Sequence, residues 1–352
     1  MDKTIFIPRA GQGRNQGLRT ALVLAALSRR AVRLGGLVSE APRPRPGLGA
    51  GNFTAAAAAA AVTAGSFELG REGSELLFVP GRPAAGDYSF DVARERPSPA
   101  PLSLVLEVVA PILAAAGGSS QVILSGGTHV PGGFTSDEVR RVLVPTWGGL
   151  GLPLEFMEIS PGFLPGGAGE AELRVSSSSG MRSLKGDDPF QPLELGIEVV
   201  ISGLPLHLAE QALEGAQARL NLHRLKASGR IRRARGSAGM SLLIWARGRY
   251  YRVGFAALGR RGGRPEALAN NACEALVGFL HSGAGLPAQL AAALLASLVC
   301  AAGVSRLTVD RSTPALKAAV QAADAFFPGA VLMNQPRQDA PLELRISGRG
   351  LL

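Results

Sequence analysis

Cysteine occurs at only two positions, Cys273 and Cys300, too far apart in sequence to suggest a close metal-ligand spacing. A disulfide framework is not expected, and a reducing, cytoplasmic setting fits. Aromatic residues are scarce, 5% of the 352 residues with two Trp and three Tyr. That argues against a surface of stacked aromatic platforms for bases. Histidine occurs at His129, His207, His223 and His281 alone, so any imidazole chemistry has four candidates. No apolar run reaches the ~20 residues that a membrane-spanning helix needs, and the alanine-rich stretch 54–64 is both short and weakly apolar. The opening "MDKTIFIPRAGQGR" turns polar and glycine-rich after one short apolar run, unlike a secretory signal.

What is present is equally directional. Hydrophobic residues make up 46% of the chain, enough for a sizeable core in two or three domains or one composite domain. Forty-six glycines imply many tight turns and close helix packing. The formal net charge of +10 favours a polyanion partner, either nucleic acid or a phosphate-rich ligand. Basic residues concentrate in "RLKASGRIRRARG", which reads either as a solvated loop or as a surface for a phosphate backbone. Arg43 and Arg45 lie in the proline-stiffened loop "RPRPG", which would hold their guanidiniums in place.

Hydrophobic periodicity divides the chain into similar units. "TIFIP" reads as a strand, a helix follows over about 17–27, then strand "AVRLGGLV", helix 54–64 and strands "SFELGREGS" and "ELLFVPG". The order strand, helix, strand, helix, strand, strand returns with "YSFDVA", helix 102–116, "SQVILSG", helix 137–150, "PLEFMEIS" and "GEAELRVS". The stretch 176–192 reads as a boundary loop, and about 190–262 as a smaller inserted module. A third unit then resumes with helices 265–280, 287–302 and 314–326, strand "SRLTVD", and final strands "AVLMNQ" and "LELRISGRG". The expected fold is α/β (α+β): a large domain of three βαβαββ repeats over 1–183 and 263–352, with a small α/β domain, 184–262, inserted before the third repeat.

The loop "VILSGGTHVPGGF" at 122–134 suits either a phosphate cradle or a plain turn, and His129 within it reads best as a polar turn residue. Its neighbours give it context. "GQGRNQGLRTALVLAALS", "RPRPGLGAGNFTAAAAA", "SGGTHVPGGFTSDEVRRVLVPTWGGLG", "GFLPGGAGE", "GLPLHLAEQAL" and "LPAQLAAALLASLVCAAG" occur in colinear order over nearly the whole chain. Together they resemble the RNA 3′-terminal phosphate cyclase family. The resemblance implies the repeat architecture above and an ATP- and Mg-dependent reaction. In that reaction a histidine becomes adenylylated and passes AMP to an RNA 3′-phosphate, which then cyclises.

The resemblance also marks departures. Ala315 falls at the position of the nucleophilic histidine, with Ala318 and Ala319 where the family has Thr and Asn. An alanine forms no phosphoramidate. Gln12 and Ala288 replace carboxylates, Arg14 and Asn15 replace glycines, Glu107 stands for a Gln, and Gly51 and Asn52 stand for Gln-His. On this resemblance Gln12, Glu107 and Gln289 would line a nucleotide site, and Arg19, Arg43 and Arg45 would hold RNA phosphate. No metal ligands are expected, and His281 is the weak surrogate nucleophile. The chain is thus expected to be a degenerate, RNA-binding relative acting on RNA 3′ ends. The alternatives are an active cyclase with an unusual nucleophile and a module with no nucleic-acid partner. Cys273 and Cys300 fall on apolar helix faces and are expected in the core.

Overall fold

A computed structural model describes residues 4–39, 47–70, 73–94, 98–337 and 340–351. Four mixed four-stranded sheets account for its strands. The first contains β1 (Ile5–Ile7), β2 (Val32–Leu34), β3 (Ser66–Leu69) and β4 (Leu76–Val79), in the order β1-β2-β4-β3. Helix α1 (Gln12–Ser28) makes the crossover between the parallel pair β1 and β2, and α2 (Ala50–Val62) leads into the antiparallel pair β3 and β4.

The second repeat follows the same path. Strand β5 (Asp87–Asp91), helix α3 (Ser103–Ala114) and strand β6 (Ser120–Gly126) form the parallel crossover. A helical run then comprises α4 (Ser136–Glu138), a π-helical turn (Val139–Leu143) and α5 (Val144–Leu150). Strands β7 (Leu154–Ser160) and β8 (Gly169–Val175) close the sheet as β5-β6-β8-β7.

The third repeat begins inside the stretch read as a boundary loop. The two-residue strand β9 (Lys185–Gly186), ahead of the inserted module in the chain, pairs parallel to β14 (Val304–Val309). After the module come α8 (Ala288–Cys300), β14, α9 (Pro314–Phe326), β15 (Val331–Asn334) and β16 (Leu342–Ser347), in the sheet order β15-β16-β14-β9. Backbone pairing, not side-chain pattern, makes β9 a strand, which is why its sequence shows no alternation.

The inserted module holds β10 (Glu194–Ser202), α6 (Leu206–Leu222), β11 (Ser228–Ala234), β12 (Gly239–Arg247) and β13 (Arg252–Leu258), ordered β11-β10-β12-β13. Helix α7 (Pro265–His281) packs on α6, β12 and β13. Phe255 of β13 meets Phe279 of α7 with ring centroids 5.5 Å apart. On this packing we propose 187–281 as the inserted unit, where 184–262 was expected. An amphipathic helix cannot announce in sequence which sheet its apolar stripe will cover.

The helices form the centre. Helix α1 packs against α3 and α8, each the first full helix of another repeat, while α2 packs on α3 and α9 on α1. Alanine lets them approach closely: Ala21, Ala25, Ala55, Ala58, Ala319 and Ala322 are all fully buried. Cys273 and Cys300 are buried and unbridged. Among the described residues no helix is long and apolar enough to cross a membrane.

Candidate functional site

The N-terminal ends of α1, α8 and α9 meet the turn at 132–134 around a cleft of about 280 Å³. The first loop enters it under constraint. Gly13, Arg14 and Asn15 all adopt left-handed backbone, with φ of 60°, 57° and 58°. Gly13 has to be glycine, because a Cβ there would fall 2.3 Å from Ala315 Cα. Asn15 is held by its amide, which donates to the Val38 carbonyl at 2.8 Å. Arg14 extends across the cleft, its guanidinium beside the Gly132 backbone.

Arg19, Glu107 and Gln16 form the floor. The Arg19 Nε donates to Glu107 Oε2 at 3.1 Å, with both side chains buried. Its Nη1 donates to the Asn52 side-chain oxygen at 2.9 Å and to the Arg14 carbonyl at 3.1 Å, and Nη2 donates to Gln16. The Gln16 amide also reaches Glu107 and the Ala292 carbonyl, each at 3.5 Å. Arg19 therefore lines the cleft with its charge already balanced. The signal for this pairing was the Glu at 107, but 88 residues separate the partners and no periodicity links them.

The remaining walls are nearly neutral. Ala288, Gln289 and Ala292 come from α8, and Thr313 and Ala315 from the start of α9. Thr313 caps α9 by accepting from the Leu316 N–H. Arg311 also faces the cleft; it lies 3.4 Å from Asp310, whose other oxygen accepts the Ala288 N–H. Arg14 has no carboxylate partner among the described residues. A second hollow of about 220 Å³ adjoins, sharing Phe134, Gln289 and Arg311, and runs toward β13 and the buried Glu138.

Several anticipated residues converge here: Arg19, Glu107, Gln289 and Ala315 all line the cleft. Gln12 is exposed beside it and is not among the lining residues. Arg43 and Arg45 lie outside the described residues. His281 stands elsewhere, exposed at the end of α7 and 6.4 Å from the His223 ring between centroids. His207 is on the second residue of α6.

His129 differs from the expected polar turn residue. It is buried, with Nε2 2.8 Å from Asp137 Oδ2 and Nδ1 2.8 Å from Thr128 Oγ1 and 3.2 Å from Glu158. Its ring stacks on Phe163 at 4.8 Å. Arg232 bridges the same carboxylates, 2.6 Å from Glu158 and 3.2 Å from Asp137. Glu198 of β10 receives Arg140, Arg141 at 2.8 Å and Arg230 at 2.7 Å. Burial alone would raise the Asp137 carboxyl, but the His129 hydrogen bond and charge, with Arg232 and Arg140, outweigh it and hold it below the usual carboxylate range. Part of the basic run "RLKASGRIRRARG" thus serves as a junction between the second repeat and the inserted module. This network was not anticipated, since it joins elements far apart in the sequence.

The cleft suits a phosphate group better than a metal. Its single carboxylate, Glu107, is engaged by Arg19, and among the described residues no cluster of three or more His, Cys, Asp or Glu is placed to hold a metal ion. The cation side chains and helix N-termini around it favour an anion. The described lining therefore offers no free carboxylate to a Mg ion.

A family model described as RNA 3′-terminal phosphate cyclase matches residues 10–332. Proteins named RNA 3′-terminal phosphate cyclase are similar along most of the chain. That of Methylococcus capsulatus is 38% identical over 329 residues, covering 90% of this chain and 89% of its own. That of Gloeothece citriformis is 32% identical over 329 residues, covering 92% and 93%, and that of Salmonella typhimurium 30% over 323 residues, covering 90% and 91%. With this coverage added to the repeat topology, the chain belongs to the RNA 3′-terminal phosphate cyclase family.

Proposed function

We propose that this chain is a catalytically degenerate member of the family that holds RNA 3′ ends without adenylylating itself. One observation carries the reading: Ala315 lines the cleft, its backbone against Gly13, and none of the chain's four histidines is among the lining residues. A phosphate entering it would meet Arg14 and Arg311 instead of a nucleophile. ATP would enter as a ligand through its phosphates and not as an AMP donor.

The test is incubation with α-phosphate-labelled ATP and Mg²⁺ or Mn²⁺, beside an active cyclase as control. The expected result is no acid-labile AMP on the protein, together with binding of an RNA 3′-phosphate oligonucleotide. A stable covalent AMP would sink this reading. It would favour the second one, an active cyclase with a non-standard nucleophile, which the 38% identity to a protein named as a cyclase supports.

A further inference from the structure

A second basic surface lies on the inserted module. Strands β10, β11 and β13 run the same way and finish together: Ser202 pairs with both Ala234 and Gly239, and Leu258 with Ser241. Helix α6 starts from this end after β10, and α7 starts from it after β13. Each helix has 17 residues, and neither N-cap, Pro205 or Arg264, supplies a side-chain hydrogen bond. The positive ends of both dipoles are therefore directed to one edge of the module.

Five arginines cluster there. Arg233 is the penultimate residue of β11 and Arg235 follows its end, and Arg260, Arg261 and Arg264 fall in the link from β13 to α7; all are exposed. Among the described residues none of the five has a carboxylate partner. Arg230 and Arg232, earlier on the same strand, are by contrast committed to Glu198, Asp137 and Glu158. Of acidic residues near the two helix starts, Glu266 lies in the first turn of α7 and Glu210 one turn into α6, so the described residues leave the edge strongly basic. With about 4.8 Å between neighbouring strands, β11 and β13 stand about 14 Å apart, wide enough for a chain of phosphates to cross. Neither arginine stretch contains an aromatic residue, so contacts would be to backbone phosphate and not to stacked bases.

From this placement we infer that the α6–α7 starting edge of the inserted module is a sequence-independent landing face for the sugar-phosphate backbone of single-stranded RNA. It is separate from the cleft and engages the strand rather than its terminal phosphate. The inference rests on the RNA-binding reading above.

The test is fluorescence anisotropy of a short labelled RNA of mixed sequence on the full chain, over a series of salt concentrations. Two variants are compared with the parent: Arg233→Gln/Arg235→Gln and Arg260→Gln/Arg261→Gln/Arg264→Gln. Among the described residues none of these side chains makes an ion pair, so both variants are expected to keep the parent's thermal midpoint. Each should weaken binding roughly tenfold or more at low salt and flatten the slope of log K against log salt by about 0.7 per lost phosphate contact. The loss should be equal for 3′-phosphate and 3′-hydroxyl RNA. Parent-like affinity and slope in both variants would overturn the landing face and leave RNA binding intact. Absence of RNA binding by the parent at low salt would overturn both.

Discussion

Arg14 and Asn15 occupy left-handed backbone, which side chains with a Cβ adopt at a cost of about 1 kcal/mol each. Asn15 recovers part of that cost through its hydrogen bond to Val38; among the described residues the Arg14 side chain forms no such bond. Arg14→Gly should therefore stabilise the chain by up to about 1 kcal/mol, read from the midpoint of denaturant unfolding, while weakening phosphate binding in the cleft. Unchanged stability would show that the arginine is held by contacts offsetting its strain. Gly13→Ala is expected to act oppositely, because its Cβ meets the backbone of Ala315 and its φ is 60°. Ala315 and Glu107 were legible in sequence as departures. That Glu107 would neutralise Arg19 was not, since it follows from how α1 and α3 pack.

The second repeat's helix shows how local chemistry sets an element. Thr135 accepts from the Glu138 N–H, and Glu138 returns to the Thr135 N–H at 2.8 Å, a reciprocal cap for the helical run that follows. Thr135→Ala should cost about 1 kcal/mol. Burial pushes the Glu138 carboxyl up to about 7, against the lowering effect of the Thr135 hydrogen bonds. A carboxyl raised on folding stabilises the fold fully below its unfolded pKa, and that contribution is lost as pH rises through about 7. Glu138→Gln should therefore remove a decline in thermal midpoint between about pH 5 and 8. An identical decline in the variant would place its origin in another group. Such caps are readable from sequence, as is α9, bounded by Thr313 and Pro314. Strand β9 and the packing of α7 were not, because each depends on a partner far along the chain.

At the scale of the molecule, the central question is what fixes the inserted module to the repeats. Its sheet presents Glu198 and Arg232 to the second repeat, and Trp245 stands within 5.3 Å of Arg141 and 5.5 Å of Arg252. Asp137, Glu158 and Glu198 are buried at this junction, so each depends on its guanidinium partners. Removing one partner of a buried ionic network leaves uncompensated charge and costs about 3–5 kcal/mol. Arg232→Met should therefore destabilise strongly, since it strips both Asp137 and Glu158 of a 28% exposed but shared cation. Acid should act on the same contact. Asp137 and Glu198 are both held below the usual carboxylate range, despite burial, by His129 and the surrounding arginines. Their stabilisation is present above the unfolded carboxylate pKa and disappears as pH falls toward the lowered folded values. Acidification below about pH 4 should loosen the module. Trp245 emission should then shift to the red before the helical signal of the repeats is lost, and Trp245→Phe should abolish that early shift. Simultaneous loss of both signals would mean that the junction is no weaker than the repeats it joins.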